Sequence, residues 1–410
     1  MITERLPQGY SASHKWTAVG FLTLAVLLSM GLWFSASAVT PTLMRRWSLD
    51  SASAAWLTMA VQIGFVAGAL ASALLNAPDR WAPRYLFALG AFAGAAFNAA
   101  IPLWPSWLWA VPLRFATGFC LALVYPVGMK IMATWTRRDR GLVLGLVVGA
   151  LTVGSASPHL IRSLGGIDEW PRVLYTASGL SALGGLLVLR FGRRGPFGLP
   201  AAPFRWRQMG ESLRDPALRL ANLGYLGHMW ELYAMWTWVP VYLAELYGSS
   251  HQAQRRASLA AFLIIACGGP LCVAAGRLAD RWGRTRTTIL CMSVSGACAL
   301  AVGWAGLVSP WAATALAVVW GLAVIPDSAQ FSGAVSELGD ARYMGTLLTT
   351  QTCMGFLLTM ASIRMVPALK AYAGWPLAFA ALALGPALGA WAMFRLQRSP
   401  QAAKLSGGLG

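Results

Sequence analysis

Of the chain's 410 residues, 57% are apolar and only 11% are charged, whereas roughly a quarter are charged in soluble proteins, so a water-soluble fold is excluded. The formal net charge is +18, but the sequence has no basic, aromatic-interleaved domain of the kind that binds nucleic acid. Cationic loops facing a negatively charged cytoplasmic leaflet account for this surplus, and we predict a polytopic membrane protein.

Twelve apolar segments follow one another along the chain, each near the length of about 20 residues that crosses a bilayer as a helix. Their continuous runs of Leu, Ala, Val and Gly lack the alternation of membrane strands, so we expect an all-α fold. Numbered as predicted helices one to twelve, they are 16–40, 53–76, 84–104, 107–134, 141–163, 172–191, 219–244, 257–277, 287–307, 311–335, 343–365 and 372–395.

The placement of Lys and Arg sets the predicted orientation, because cytoplasmic loops carry an excess of both. With the N-terminus inside, 22 cations fall on the cytoplasmic side and 7 on the opposite side. Both termini are therefore expected in the cytoplasm, in a multi-pass protein of the bacterial inner membrane. An Arg-, Pro- and Gly-rich linker over 192–218 is expected to join two six-helix bundles, 1–191 and 219–410.

The two halves repeat each other. Asp79-Arg80-Trp81 recurs as Asp280-Arg281-Trp282 at an offset of 201, and Ala122–Pro126 recurs as Leu322–Pro326 at an offset of 200. Parallel repeats of this kind place two bundles around an axis along the membrane normal, with a cavity between them.

The loop after predicted helix eight reads Gly276-Arg277-Leu278-Ala279-Asp280-Arg281-Trp282-Gly283-Arg284-Thr285-Arg286. It resembles the signature cytoplasmic loop of the major facilitator superfamily, G-x-L-a-D-r-x-G-r-[kr]. A carboxylate near helix ends, basic neighbours and glycines suit a conformational latch, so gate residues are expected at Gly276, Asp280, Arg281, Gly283 and Arg284. The resemblance covers the whole chain and implies twelve transmembrane helices in two pseudo-symmetric bundles.

Predicted helix five lacks the glycine-proline signature of the superfamily's antiporters, since its proline is displaced to Pro158. Its stripe of Gly141, Gly145, Gly149 and Gly154 still predicts close packing against a neighbouring helix. Three segments look broadly similar to prokaryotic nitrate/nitrite and cyanate-type porters: Gly31–Val39, Ala60–Leu70 and Tyr125–Lys130.

Charged residues within the predicted spans point to function, because each is costly in hydrocarbon unless it faces a cavity or a partner. Four of them fall in predicted helices four, seven and ten, which the resemblance places along the central path with helix one: Arg114, Lys130, Glu231 and Asp327.

Arg114 and Tyr125 are predicted to bind substrate, since three helical turns place them on nearly one face of helix four. A guanidinium suits a planar anion, and a hydroxyl can steady it. Lys130 lies nearer the cytoplasmic end and is predicted to form a gate pair with Asp327. The alternative is that Lys130 and Asp327 are solvated separately.

Predicted helix seven carries His228 and Glu231 on one face. Glu231, near mid-membrane, is the first candidate for the proton-coupling carboxylate, and Asp327 is the second; the alternative is a permanent pair of Glu231 with His228 or Arg114. Substrate-binding side chains are expected on helices one, seven and ten, although ordinary packing is the favoured explanation for any one of the aromatic residues taken singly. They are Trp33, Phe34, His228, Trp230, Tyr233, Trp236 and Trp320.

The predicted function is secondary active transport by alternating access, coupled to protons, of a small polar solute that is anionic or zwitterionic. A proton-driven efflux antiporter for lipophilic or aromatic compounds is the alternative, supported by the aromatic helices and weakened by the missing helix-five signature. A copper-type importer is a minor alternative, since His228, Met229 and Met235 are spaced differently from the motifs of the superfamily's copper importers.

Other classes fit the sequence less well. A receptor or scaffold would call for a soluble domain, and an ATP-driven pump for a G-x-x-x-x-G-K-[ST] loop. No enzyme activity, cofactor or metal site is expected. The expected partners are a small-molecule substrate, protons and the lipid bilayer rather than nucleic acid, and the protein is expected to be a monomer.

Overall fold

The computed structural model describes residues 10–136, 140–197 and 205–410, and the regular structure in these ranges is entirely helical. The all-α prediction is thereby confirmed. The N-terminal tail before residue 10, residues 137–139 of a predicted cationic loop and residues 198–204 of the predicted linker lie outside the described residues.

The first part of the chain forms α1 (Ala12–Ala38), α2 (Thr40–Arg46), α3 (Ser51–Leu74), α4 (Ala77–Arg80), α5 (Pro83–Ala100), α6 (Trp107–Leu121), α7 (Tyr125–Ala133), α8 (Arg140–Gly165) and α9 (Trp170–Phe191). The second part forms α10 (Trp206–Arg214), α11 (Pro216–Tyr247), α12 (His251–Ala266), α13 (Gly268–Trp282), α14 (Arg284–Val308), α15 (Pro310–Val324), α16 (Ser328–Leu338), α17 (Met344–Ala380) and α18 (Leu384–Gln397). Short 3-10 helices lie at Ile101–Leu103, Ala341–Tyr343, Ala381–Ala383 and Pro400–Gly408.

Within the described ranges, ten helical segments are long and apolar enough to cross a membrane. One of them, Met344–Gln397, contains a sharp turn at Ala373 and Gly374, where Gly374 takes a φ of 76° that only glycine adopts without strain. The predicted gap at 366–371 is therefore wrong, because the chain turns later than the sequence indicated. The buried 32-residue α11 is not among the ten, so twelve crossings and the position of the termini stay predictions.

The repeat at an offset of 200 residues has a structural counterpart. Predicted helix four is divided into α6 and α7, and predicted helix ten into α15 and α16, with Pro126 and Pro326 at the two breaks. Proline lacks an N–H and its ring clashes with the carbonyl four residues before it, so a helix is interrupted there. The predicted segments 107–134 and 311–335 agree with the candidate membrane spans Trp107–Ala133 and Pro310–Leu338, each of which contains one of these breaks.

The helices pack in two groups. In the first group, α1 packs on α8 and α9, and α6 packs on α3 and α5. In the second group, α11 packs on α17 and α18, and α14 packs on α15 and α18. The groups meet where α8 contacts α12 and α13, and where α3 contacts α17.

The glycine stripe of α8 brings its neighbours very close, as predicted. A Cβ atom added to Gly149 would lie 2.7 Å from the carbonyl oxygen of Gly269 in α13, and one added to Gly154 would lie 2.3 Å from that of Leu27 in α1. Because such contacts leave no room for a side chain, the stripe fixes α8 between α1 of its own group and α13 of the second group.

Candidate functional site

A cluster of six aromatic side chains fills the centre of the molecule, where the two groups meet. The ring centroid of Trp33 lies 5.8 Å from that of Tyr233 and 5.2 Å from that of Phe356. The ring of Phe34 contacts that of Trp236 at 5.7 Å, edge to face. This central aromatic cluster consists of Trp33 and Phe34 of α1, Phe65 of α3, Tyr233 and Trp236 of α11, and Phe356 of α17, all of them buried.

Two polar atoms in this cluster have no partner. The indole Nε1 atoms of Trp33 and Trp236 are buried, and neither makes a hydrogen bond. A buried donor without an acceptor costs about 1–3 kcal/mol. The two N–H groups are therefore free to donate to a ligand that separates the rings.

Glu231 lies away from this cluster, inside the second group, and its side chain is 1% exposed. Its Oε1 atom accepts a hydrogen bond from Nε1 of Trp320 at 2.6 Å, and its Oε2 atom accepts one from Oγ of Ser295 at 2.9 Å. Trp320 therefore holds the carboxylate in this structure, and its ring packs edge to face against Phe379 at 5.7 Å. Ser295 and Trp320 belong to α14 and α15, so three helices meet at this carboxylate.

Asp327 forms a buried pair with His228. Nδ1 of His228 lies 2.9 Å from Oδ1 of Asp327, while Nε2 of His228 has no hydrogen-bond partner. The pair ties α11 to the break between α15 and α16. The alternative pairing of His228 with Glu231 is not formed in this structure.

Arg114 is fully buried, and its guanidinium is held by the first group. It donates to the carbonyl oxygens of Leu57 at 3.0 Å and Leu32 at 2.7 Å, and also to that of Trp33. Further contacts reach Oγ of Ser35 at 3.2 Å and Oδ1 of Asn98 at 3.4 Å. The guanidinium thus joins α6 to α1 and α3, and in this arrangement it is turned toward main-chain oxygens rather than toward a carboxylate.

Other predicted substrate-binding residues are placed separately. Tyr125 begins α7 beside the helix break, where it is partly buried against the core. Trp230 points toward α18, and its Nε1 atom donates to the carbonyl of Ala381 at 3.3 Å. From the predicted set, the structure brings Trp33, Phe34, Tyr233 and Trp236 together in the cluster.

The predicted gate pair of Lys130 and Asp327 is not formed in this structure. Lys130 pairs with Asp79 of its own group, and Asp327 pairs with His228. Each side chain has a polar partner within its own group of helices, so neither reaches across. Asp79 is the counterpart of Asp280 in the repeat, so the first copy of the loop also holds an ion pair.

Arg284 fixes the signature loop through its side chain. Arg284 donates to both carboxylate oxygens of Glu337, at 2.9 and 2.6 Å, and to Oε1 of Gln330 at 2.7 Å. Gln330 corresponds to Lys130 in the repeat, so the same helix position contacts the loop in each half. Gly283 turns the chain with a φ of 98°. Gly276 is buried, whereas Asp280 and Arg281 are exposed.

Side-chain hydrogen bonds join the two groups of helices. Arg162 of α8 donates to Oγ of Ser258 at 2.8 Å and to Oε1 of Gln254 at 3.1 Å, both on α12. Oγ1 of Thr359 donates to Oε1 of Gln62 at 2.6 Å, which joins α17 to α3. These bonds run between the two groups of helices and hold them together.

In the part of the chain that the structure describes, no group of three or more His, Cys, Asp or Glu side chains is placed to hold a metal ion. His228, Met229 and Met235 lie on α11, and Nδ1 of His228 is taken up by Asp327. Four of the six cysteines are buried, and all six are free thiols.

Sequence reasoning missed several residues of this site. Phe65 and Phe356 lie in apolar segments where nothing marks one ring as central, and Ser295 is one of four hydroxyl residues in predicted helix nine. Arg162 carried a signal, because it is a charge near the edge of a span, but its partners on α12 are distant in sequence.

One family model matches most of the chain. The family model described as Major Facilitator Superfamily matches residues 21–363. No curated protein matches the chain.

Solved structures share the fold. A bacterial homologue of the human lysosomal transporter Spinster, in an inward-facing and occupied conformation, aligns with a TM-score of 0.69 at 14% identity, over 95% of this chain and 98% of that one. A mutant of the nucleoside transporter NupG aligns with a TM-score of 0.69 at 16% identity, over 93% of this chain and 99% of that one. At these identities the likeness concerns the fold alone.

Proposed function

Because the chain belongs to the major facilitator superfamily, we propose that it is a secondary active transporter that couples the movement of a flat aromatic solute to the movement of protons. It acts by alternating access as a monomer in the bacterial inner membrane. In this proposal residues 1–191 and 219–410 form two six-helix bundles, joined by the linker 192–218.

One observation carries the choice of substrate. The central aromatic cluster joins the two groups, and it contains the unpartnered N–H groups of Trp33 and Trp236. A solute that enters between the rings replaces ring–ring contacts by stacking, and an acceptor on its edge relieves the cost of an orphaned donor. A planar aromatic compound with hydrogen-bond acceptors has both properties.

An anionic or zwitterionic solute is supported less well. It requires a cation that is free to pair, and three buried or half-buried cations are already engaged. Arg114 donates to main-chain oxygens, Lys130 pairs with Asp79, and Arg162 holds α12. We therefore favour aromatic substrates over the anionic or zwitterionic solute that the sequence predicted first.

Glu231 is the proposed coupling carboxylate. The free energy of charging a buried carboxyl group depends strongly on the groups that surround it. The protonation state of such a group is therefore sensitive to a change of conformation. α11 carries Glu231 together with Tyr233 and Trp236 of the cluster. A shift of α11 that opens the cluster therefore also moves the carboxyl group relative to Trp320 and Ser295.

Ligand binding by the purified full-length chain tests the substrate class. We would measure thermal stabilisation by a panel of flat aromatic compounds, including nucleosides, beside nitrate, cyanate and aliphatic amino acids. We expect stabilisation by aromatic compounds that carry acceptors. Trp236→Phe keeps a ring but removes the N–H group, and should weaken binding by about three- to tenfold.

Trp391→Phe is the matched control, because Trp391 is 53% exposed and lies outside the cluster. It should leave binding unchanged. Stabilisation by the inorganic anions and by none of the aromatic compounds would reject the proposed substrate class and restore the first prediction.

Coupling is tested by uptake into proteoliposomes of a compound identified in that screen, with and without an imposed pH gradient. Glu231→Gln resembles the protonated carboxyl group in shape and lacks charge, so it should abolish gradient-driven accumulation while counterflow continues. Glu245→Gln is the control, because Glu245 is half exposed and pairs with Lys370. Continued accumulation by Glu231→Gln would move the coupling site elsewhere, with Asp327 as the next candidate.

A further inference from the structure

The two oxygen atoms of Glu231 have partners of different chemistry. Oε1 faces the indole Nε1 of Trp320, and Oε2 faces the hydroxyl of Ser295. The Ser295 oxygen also lies 3.3 Å from the carbonyl oxygen of Met292, one turn earlier in α14. The hydroxyl therefore has two acceptors in reach, the carboxyl group and a main-chain carbonyl.

These partners restrict where a proton can sit. An indole N–H only donates, so Oε1 must remain an acceptor in both charge states. A hydroxyl donates or accepts. When Glu231 is charged, Ser295 donates to Oε2. When Oε2 carries a proton, that proton is donated to Oγ of Ser295, and the Ser295 hydroxyl turns to donate to the carbonyl of Met292.

We propose that Ser295 is a positioning residue that lets Glu231 gain and lose a proton without leaving a buried polar group unpaired, and that Trp320 assigns the proton to Oε2. The step moves one proton between Oε2 and water and rotates one hydroxyl. The inference rests on the proposed function in so far as Glu231 is the coupling carboxylate.

Other titratable groups surround Glu231. Asp327 interacts with it electrostatically, and His228, one turn earlier on α11, is paired with Asp327. The thiol of Cys298, on α14, is also within electrostatic range. All three stay unchanged in the test, so that a shift in the titration of Glu231 reports on Ser295 or Trp320.

Infrared difference spectroscopy of the purified full-length chain, titrated with acid and base in the absence of any substrate, tests this assignment. The C=O stretch of protonated Glu231 is the band that Glu231→Gln removes. Ser295→Ala should move the midpoint of this band's titration to higher pH by about one unit, because a hydrogen bond to a charged group is worth more than one to a neutral group. Ser295→Thr keeps the hydroxyl and should keep the midpoint.

Trp320→Phe provides the second measurement. It removes the donor to the C=O oxygen while keeping a ring against Phe379, so the C=O stretch should move to higher wavenumber. Ser295→Ala should move it much less, because Ser295 faces the hydroxyl oxygen of the protonated group. The reverse pattern would place the proton on Oε1 and overturn the inference.

An unchanged midpoint in Ser295→Ala, or the absence of a titrating band that Glu231→Gln removes, would also overturn it. An unchanged midpoint is separate from a failure of the proposed function, whereas the absence of the band would also count against Glu231 as the coupling carboxylate. The titration uses neither a substrate nor a gradient. The coupling experiment asks instead whether Glu231→Gln still concentrates substrate in response to a pH gradient.

Discussion

Arg114 donates a hydrogen bond to the main-chain carbonyl of Trp33, and the ring of Trp33 lies 5.8 Å from that of Tyr233 in the other group of helices. The guanidinium, which the sequence marked as a candidate for binding an anion, thus holds the stretch of α1 that supplies the aromatic surface. A charged side chain can serve transport by positioning another residue rather than by touching the solute.

Substitution of Arg114 tests this role. A lysine ammonium cannot reproduce the planar fork that reaches Leu57, Leu32 and Trp33 together. Arg114→Lys should therefore destabilise the folded protein by about 2 kcal/mol, because buried carbonyl oxygens lose their donor. The measurement is the apparent melting temperature in detergent. Arg395→Lys is the control, because Arg395 is exposed. Unchanged stability combined with lost anion binding would favour direct recognition by Arg114.

Double-mutant cycles distinguish the buried polar pair that forms from the pair that does not. His228→Gln with Asp327→Asn should show a coupling energy of about 0.5–3 kcal/mol in stability, as contacting residues do. Lys130→Met with Asp327→Asn should be additive, because the two residues have other partners. Coupling between Lys130 and Asp327 would indicate that they meet in another conformation.

The close approach of α8 and α13 predicts a steric effect. Gly149→Ala places a Cβ atom against the main chain of Gly269 and should lower stability by about 1–3 kcal/mol. Gly179→Ala in α9 is the matched control, since nothing lies within 4 Å of an added Cβ atom. Equal melting temperatures for the two variants would show that α8 and α13 are not held this closely.

The hydrogen bonds of Arg162 predict a conformational effect. Arg162→Gln removes a hydrogen-bonded link between α8 and α12, so these two helices should separate more often. The distance between spin labels at Leu164 and Gln252, in a background without the native cysteines, should broaden toward larger values. Arg172→Gln serves as the control, because Arg172 is exposed. An unchanged distance distribution for Arg162→Gln would mean that other contacts hold α8 against α12.

The sequence by itself determined that this is an all-helical membrane protein of two related halves. Apolar length decides whether a segment crosses a bilayer, and this property is local, so most segment positions agree with the structure. The repeat of Ala122–Pro126 at Leu322–Pro326 also marks the positions of the two helix breaks. Each copy places a proline where a helix breaks, and proline acts on the turn before it.

Only the tertiary structure decided which polar side chains meet. Glu231 could have faced His228, Arg114 or the centre, and its actual partners, Ser295 and Trp320, are 64 and 89 residues away in the chain. Lys130 and Asp327 suited each other by charge and depth, yet each is paired within its own group. A hydrogen bond depends on the rotation of two helices to within a fraction of a turn, and packing over their whole length sets that rotation.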